Sequence, residues 1–252
     1  MWRGWATTIL VPATAILAAG TVLLVGSALW PAARDPGRLP WLAAEAFYRR
    51  DPVARVALQL LAWAGSAGAE RAIGVAMLEG RAGATPAEAL PHLRRAAGSG
   101  DRPSQFLLGK ALMEGRRGLA PDPSEAVRWL RSAAEAGDPF AAYQLGLYYQ
   151  SEAGGRDDRQ ALAWLERASQ AQLPSANFLL AGLYREGRGG PANPERALAC
   201  LETAAEAELP AAIQALALAY LAGELGLQRD ERKAAALMLE LEHAVRHPPA
   251  MP

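Results

Sequence analysis

The side chains in this chain that are able to do chemistry are few and scattered. His243 and His247 stand four residues apart, a spacing that puts two imidazoles on one helix face as metal ligands require. Pro248-Pro249 follows at once, where a helix is already ending, so a solvated helix end accounts for the pair. His92 and Cys200 are candidates for acid–base or nucleophilic work. Both fall in a repeating column of packing residues, which favours a partly buried structural histidine and an inert thiol. Gly109-Lys110 is followed by Ala111 instead of Ser or Thr, so it opens no phosphate loop. Gly65-Ser66-Ala67-Gly68 lacks the strand-to-helix setting of a nucleophile elbow. The carboxylate pairs Asp157-Asp158 and Glu240/Glu242 fall at a helix cap and on a terminal helix, where charge is expected for structural reasons. No catalytic, cofactor-binding or metal-ligating set emerges, and the chain reads as a non-enzyme without a cofactor.

The elements that hold these residues follow from composition and period. Hydrophobic residues make up 51% of the 252, but aromatics only 7%, so the apolar content is mostly Ala and Leu, the strongest helix formers. No run of β-branched residues alternates with polar ones after residue 30, so the fold class is all-α. The 26 basic residues balance 26 acidic ones and spread along the whole chain, which leaves no footprint for nucleic acid. A single cysteine excludes an internal disulfide.

A period of about 36 residues organises the chain. One alanine column runs Ala57, Ala89, Ala126, Ala161, Ala197 and Ala234. Three residues on stands a bulkier column, Leu60, His92, Trp129, Trp164, Cys200 and Leu237, followed each time by Leu or Met, from Leu61 to Met238. Ala64, Ala96, Ala133, Ala168 and Ala204 complete an i, i+3, i+4, i+7 stripe, the buried face of a helix B, with Trp129 as a large buried side chain. Thr85, Asp122, Asp157, Asn193 and Asp230 sit at its N-cap, and Pro86, Pro123 and Pro194 at its first position. A preceding helix A carries a small-residue column, Gly74, Gly109, Gly146, Ala181 and Ala217. Helix glycines cost about 1 kcal/mol against alanine, so helix B is expected to pack tightly there. Gly68, Gly100 and Gly137 are placed to supply left-handed helix stops between repeats. Gln172 and Glu208 occupy that place later, where the stop is less comfortable.

The N-terminus differs. No charge appears between Arg3 and Arg34, and Ala6 to Leu29, 24 residues, would span about 36 Å as a helix, enough for a ~30 Å hydrocarbon core. Trp2, Trp5 and Trp30 match interfacial belts. A cleaved signal sequence ending at Gly26-Ser27-Ala28 is the competing reading, but its apolar region normally runs about 7–15 residues. Residues 1–30 are therefore expected to form a transmembrane anchor, 31–40 a short linker, 41–246 the repeats and 247–252 a tail. Arg3 on a short tail favours an exported repeat domain, whereas Arg34, Arg38, Arg49 and Arg50 favour the opposite side. The expectation is an inner-membrane, single-pass protein with its repeats on the periplasmic side.

The repeat resembles the Sel1-like repeat, a relative of the tetratricopeptide repeat. The resemblance rests on the Leu-Gly of helix A, the Gly-x-x-Gly join, the Asp-Pro cap and Ala-x-x-Trp-Leu before Ala-Ala-Glu-x-Gly. It is best kept over Ala126 to Gly137 and covers about residues 69–240, with a degenerate pair before it. His92 and Cys200 in the aromatic column and Glu152 in a join depart from the pattern. The resemblance implies an α/α solenoid, a right-handed superhelix of about five to six helix pairs with helix A residues lining its inner face. By that analogy Arg71, Phe106, Lys110, Tyr143, Phe178, Arg185 and Gln214 form a groove for an extended or helical protein segment of acidic character; the competing reading makes Phe106, Tyr143 and Phe178 core residues within their repeats. Family members usually act as adaptors. The expected function is a membrane-anchored interaction scaffold, an accessory or assembly subunit whose protein partner is membrane-embedded or membrane-proximal, with the bilayer engaged through the N-terminal helix. The alternative is a regulator that restrains an envelope signalling protein or a cell-wall or polysaccharide enzyme.

Overall fold

A computed structural model describes residues 35–81, 85–115 and 119–246. Among these residues the fold is all-helical, without strands. A 3-10 turn at Pro36–Arg38 leads into α1 (Leu39–Phe47) and α2 (Pro52–Trp63), followed by α3 (Ala67–Leu78) and α4 (Pro86–Gly98). Then come α5 (Arg102–Glu114), α6 (Pro123–Glu135), α7 (Pro139–Gln150), α8 (Asp158–Ser169), α9 (Pro174–Glu186), α10 (Pro194–Glu206), α11 (Pro210–Ala222) and α12 (Glu231–Arg246). These are six A/B pairs in chain order. Helix begins at Leu39, inside the stretch expected to be linker. No helix among the described residues is long and apolar enough to cross a membrane, and the span expected at 1–30 lies outside them.

The described residues fall into two compact units. One holds the chain through Leu108 with the stretch around Leu119; the other holds Gly109–Glu114 and everything from Pro121. In both, the same device joins helix A to helix B. A Cβ on Gly74 would stand 2.7 Å from Leu93 Cγ, one on Gly109 would stand 2.7 Å from Leu130 Cγ, and one on Gly146 would stand 2.5 Å from Leu165 Cγ. These three leucines are fully buried. Each glycine thus gives up helix propensity so that a leucine can reach its backbone. In the next repeat Ala181 takes the glycine's place and shares one core cluster with Leu201, Ala204 and Ala212.

The deepest column is therefore Leu93, Leu130, Leu165 and Leu201, one residue beyond the expected aromatic column. Trp164 is buried, but Trp129 is only half-buried and donates its Nε1–H to Glu125 Oε1 at 3.1 Å. A wide indole at the rim reaches back to its own first turn, while the narrower leucine fits under the glycine. The small column holds at Ala96, Ala133, Ala168 and Ala204 and fails at Ala64, which is exposed because α2 ends at Trp63.

Caps follow the expected register with two exceptions. Asp122, Asp157 and Asn193 accept from the backbone N–H of Glu125, Gln160 and Arg196. Asp230 accepts from Arg232 and Lys233. Thr85 instead donates to the Glu88 carboxylate and leaves the backbone uncapped. The left-handed stop before α3 is Gly65, φ +89°, in place of Gly68, which lies inside α3 beside Leu39. Gly100 and Gly137 are left-handed as expected, and Gln172 and Glu208 carry the same stop without the freedom of glycine.

Candidate partner-binding surface

The helix A positions expected to form one groove have different surroundings. Arg71 on α3 is not turned to a partner: its Nη1 lies 2.6 and 2.7 Å from the two carboxylate oxygens of Asp101. Asp101 also accepts from the Ser104 backbone N–H at the start of α5, so Arg71 clamps one helix A to the entrance of the next. Phe106 on α5 is half-buried in the same unit.

The remaining five belong to the second unit. Lys110 on α5 lies 4.0 Å from Glu114, and Tyr143 on α7 is half-buried. Phe178 and Arg185 of α9 and Gln214 of α11 do come together. They line one open hollow of about 500 Å³, with Leu218, Arg188 and Gln150 around them. Phe178 is half-buried, packed on the cluster of Ala181, Leu201 and Ala212 that forms its floor. Leu218, 51% exposed, offers an apolar ledge, and Arg185 and Gln214 are exposed at its rim. Leu218 follows the small residue Ala217, so its helix phase marks it as surface-facing. Gln150 stands in the register of Arg185, four residues after the small column, and Arg188 follows the first glycine of its join.

The charges are held by neighbours. Arg188 donates to Asp158 from Nη2 at 2.7 Å and from Nε at 3.0 Å, and this ion pair raises its pKa. Arg185 reaches only Glu186, at 3.4 Å. The hollow thus offers an apolar floor, an amide, two guanidinium groups and the Glu186 carboxylate that pairs with both.

Cys200 is half-buried, and burial pushes its thiol pKa up, against nucleophilic use. His92 Nδ1 lies 2.6 Å from Glu70, whose carboxylate also accepts from Arg95 at 2.6 and 3.0 Å. Burial opposes the charge on Glu70, but these two partners outweigh it and hold its pKa below the usual carboxylate range. Among the described residues no three His, Cys, Asp or Glu side chains gather as a metal group; His247 lies outside them.

A tyrosine latch recurs between repeats. Tyr149 of α7 accepts from Arg131 of α6 at 2.9 Å, and Tyr184 of α9 donates to Glu166 of α8 and accepts from Arg196 of α10. Burial, then the Glu166 carboxylate, pushes Tyr184 up to about 12. Its folded-state pKa is thus above its unfolded value, so the latch contributes fully below pH ~10 and is lost as pH rises through about 12. Tyr184→Phe should flatten the fall in stability over that window, measured by urea melts at stepped pH; an unchanged fall excludes the latch as its cause.

The Sel1 repeat model matches residues 102–138, 139–173, 174–209 and 210–240, each an A/B pair of the structure. The first two pairs lie outside these matches. The structure is similar to that of a Sel1 repeat protein from Oxalobacter formigenes, with 26% identity over 79% of this chain and 78% of that one, TM-score 0.61. It is also similar to c5321, a protective antigen of uropathogenic Escherichia coli with an SLR fold, at 26% identity and TM-score 0.69. That match covers 90% of this chain but only 52% of the antigen, so the chain spans about half its length. No curated protein matches the chain.

Proposed function

The chain belongs to the Sel1 repeat family, and from that premise we propose that it is a membrane-anchored scaffold for other proteins, without chemistry of its own. Sel1 repeats generally mediate protein–protein contacts, which supports the first half of this reading. The observation that carries it is the hollow between α9 and α11, where Phe178, Leu218, Arg185 and Gln214 offer an apolar floor under a polar rim. Surfaces of that make-up bind protein segments through a few central aromatic and aliphatic anchors. The uncharged run from Ala6 to Leu29 supports an inner-membrane anchor, and Arg3 on a short tail supports repeats on the periplasmic side. A linker this short favours a partner in or near the membrane.

The test begins with carbonate-washed membranes, in which the full-length chain should stay in the pellet. Detergent extraction and capture should then bring down a protein in fixed ratio. Phe178→Ser with Leu218→Ser should weaken that capture by about 2 kcal/mol or more while leaving helicity intact. If the double variant melts early, Phe178 is core and the groove assignment fails. If it is stable and captures normally, the partner binds elsewhere.

A further inference from the structure

The first helix pair carries an exposed apolar surface. Five of the eleven large hydrophobic residues exposed among the described residues lie in α1, α2 and the turn between them: Trp41, Tyr48, Val56, Leu60 and Trp63. Another five, Leu218, Leu221, Met238, Leu239 and Val245, lie on α11 and α12, so number alone does not single out the first pair; the register of α2 does. Val56, Leu60 and Trp63 are spaced i, i+4, i+7 and so share one face of α2. They are 41%, 42% and 88% exposed. Register makes the stripe specific to this repeat. Where α2 has Val56, the equivalent helices have Glu88, Glu125, Gln160 and Arg196; where it has Trp63, they have Arg95, Ser132, Arg167 and Thr203. At these two positions, polar in the four equivalent helices, α2 is apolar, and Leu60 between them keeps the bulky residue of its column exposed. The core does not require them, because the inner stripe of Ala54, Ala57, Leu58 and Leu61 is already buried.

The tether says what covers this face. Only four residues, Pro31 to Arg34, separate Trp30, at the end of the apolar run, from Asp35, and the five steps between them reach at most about 18 Å. Whatever the run is anchored in, the first helix pair is the part of the array held beside it. Net charge over 35–66 is small, with Arg38, Arg49, Arg50 and Arg55 against Asp35, Glu45 and Asp51, so attraction to anionic lipid is not the main driving force. A tryptophan above two aliphatic residues has the make-up of a helix face lying at the headgroup–acyl boundary.

We propose that the Val56–Leu60–Trp63 face of α2 docks on the bilayer surface, so that the repeat array is held on the membrane at two points, the anchor and this face. The proposal rests on the anchor reading above.

The full-length chain, with Cys200→Ser and Leu60→Cys labelled by an environment-sensitive thiol fluorophore, is placed in phosphatidylcholine nanodiscs. Spin-labelled phosphatidylcholine should quench the probe at position 60 about twofold more than the same probe at Arg128→Cys on α6. Adding Val56→Gln and Trp63→Gln should abolish the excess. Equal quenching at both positions in loaded nanodiscs overturns the docking and leaves the anchor standing. Failure of the chain to enter nanodiscs overturns the anchor and the docking with it. If position 60 is shielded from spin label and crosslinks to a copurifying protein in native membranes, a protein occupies the face and the proposal is wrong.

Discussion

Replacing Leu130 with alanine should lower the unfolding free energy by about 3–5 kcal/mol, more than removing the larger Trp129 beside it. Leu130 is fully buried, and its Cγ occupies the space that a Gly109 Cβ would need. With no side chain on Gly109 to relax inward, the cavity stays open, the condition under which leucine truncations cost most. Trp129 is half-buried and partly repays its place through the hydrogen bond to Glu125, so Trp129→Ala should cost about 1–3 kcal/mol. Urea melts followed by circular dichroism will rank the two. If Trp129→Ala proves the more damaging, the core column has been placed one residue too far along the helix. Hydrogen exchange should show the loss in the neighbouring helices first, because repeats couple mainly to their neighbours.

A second large effect is expected at Gly189, in the join between α9 and α10. Its φ is +78°, and a Cβ there would fall 2.2 Å from the Asp158 carbonyl oxygen. Gly189→Ala combines left-handed strain with a backbone collision, together about 2–5 kcal/mol. Gly226 provides the control: its φ is +80° with nothing within 4 Å of the missing Cβ, so Gly226→Ala should cost only the strain, about 1–2 kcal/mol. Equal melting shifts for the two variants would mean that the join does not press on α8. Arg188, the preceding residue, pairs with the Asp158 side chain, so the join grips this residue by both backbone and carboxylate.

What could be read before any coordinates was whatever repeats. The alanine columns, the Asp and Asn caps and the small positions under helix B recur at one spacing, and recurrence separates them from chance. Adjacent residues were harder. Trp129 and Leu130 both fall within the apolar stripe, and only packing shows that the leucine enters the gap over Gly109 while the indole stays at the rim. The stop before α3 was placed at Gly68 because glycine occurs there in register, yet α2 ends early and Gly65 takes the turn. Of the positions that the resemblance places in a groove, Phe178, Arg185 and Gln214 line one hollow, whereas Arg71 belongs to Asp101, thirty residues away, a pairing that no local pattern discloses. His92 could be read as structural from its column, but not that it holds Glu70 together with Arg95.

The leucine column has one open member. Leu93, Leu130, Leu165 and Leu201 are buried at 0–5% exposure, but Met238, in the same register on α12, is 39% exposed, and Leu239 beside it is 69% exposed. Leu201 is closed by Ala212 of α11, the first helix of the following repeat, and no described helix follows α12. The α11–α12 repeat therefore finishes the interior of the repeat before it. A tandem duplication of about one period would arrive at a surface already shaped to receive it, and a deletion of one period would leave the same kind of surface one step earlier. Chains built this way can change length over generations by whole repeats without any buried contact having to be reinvented.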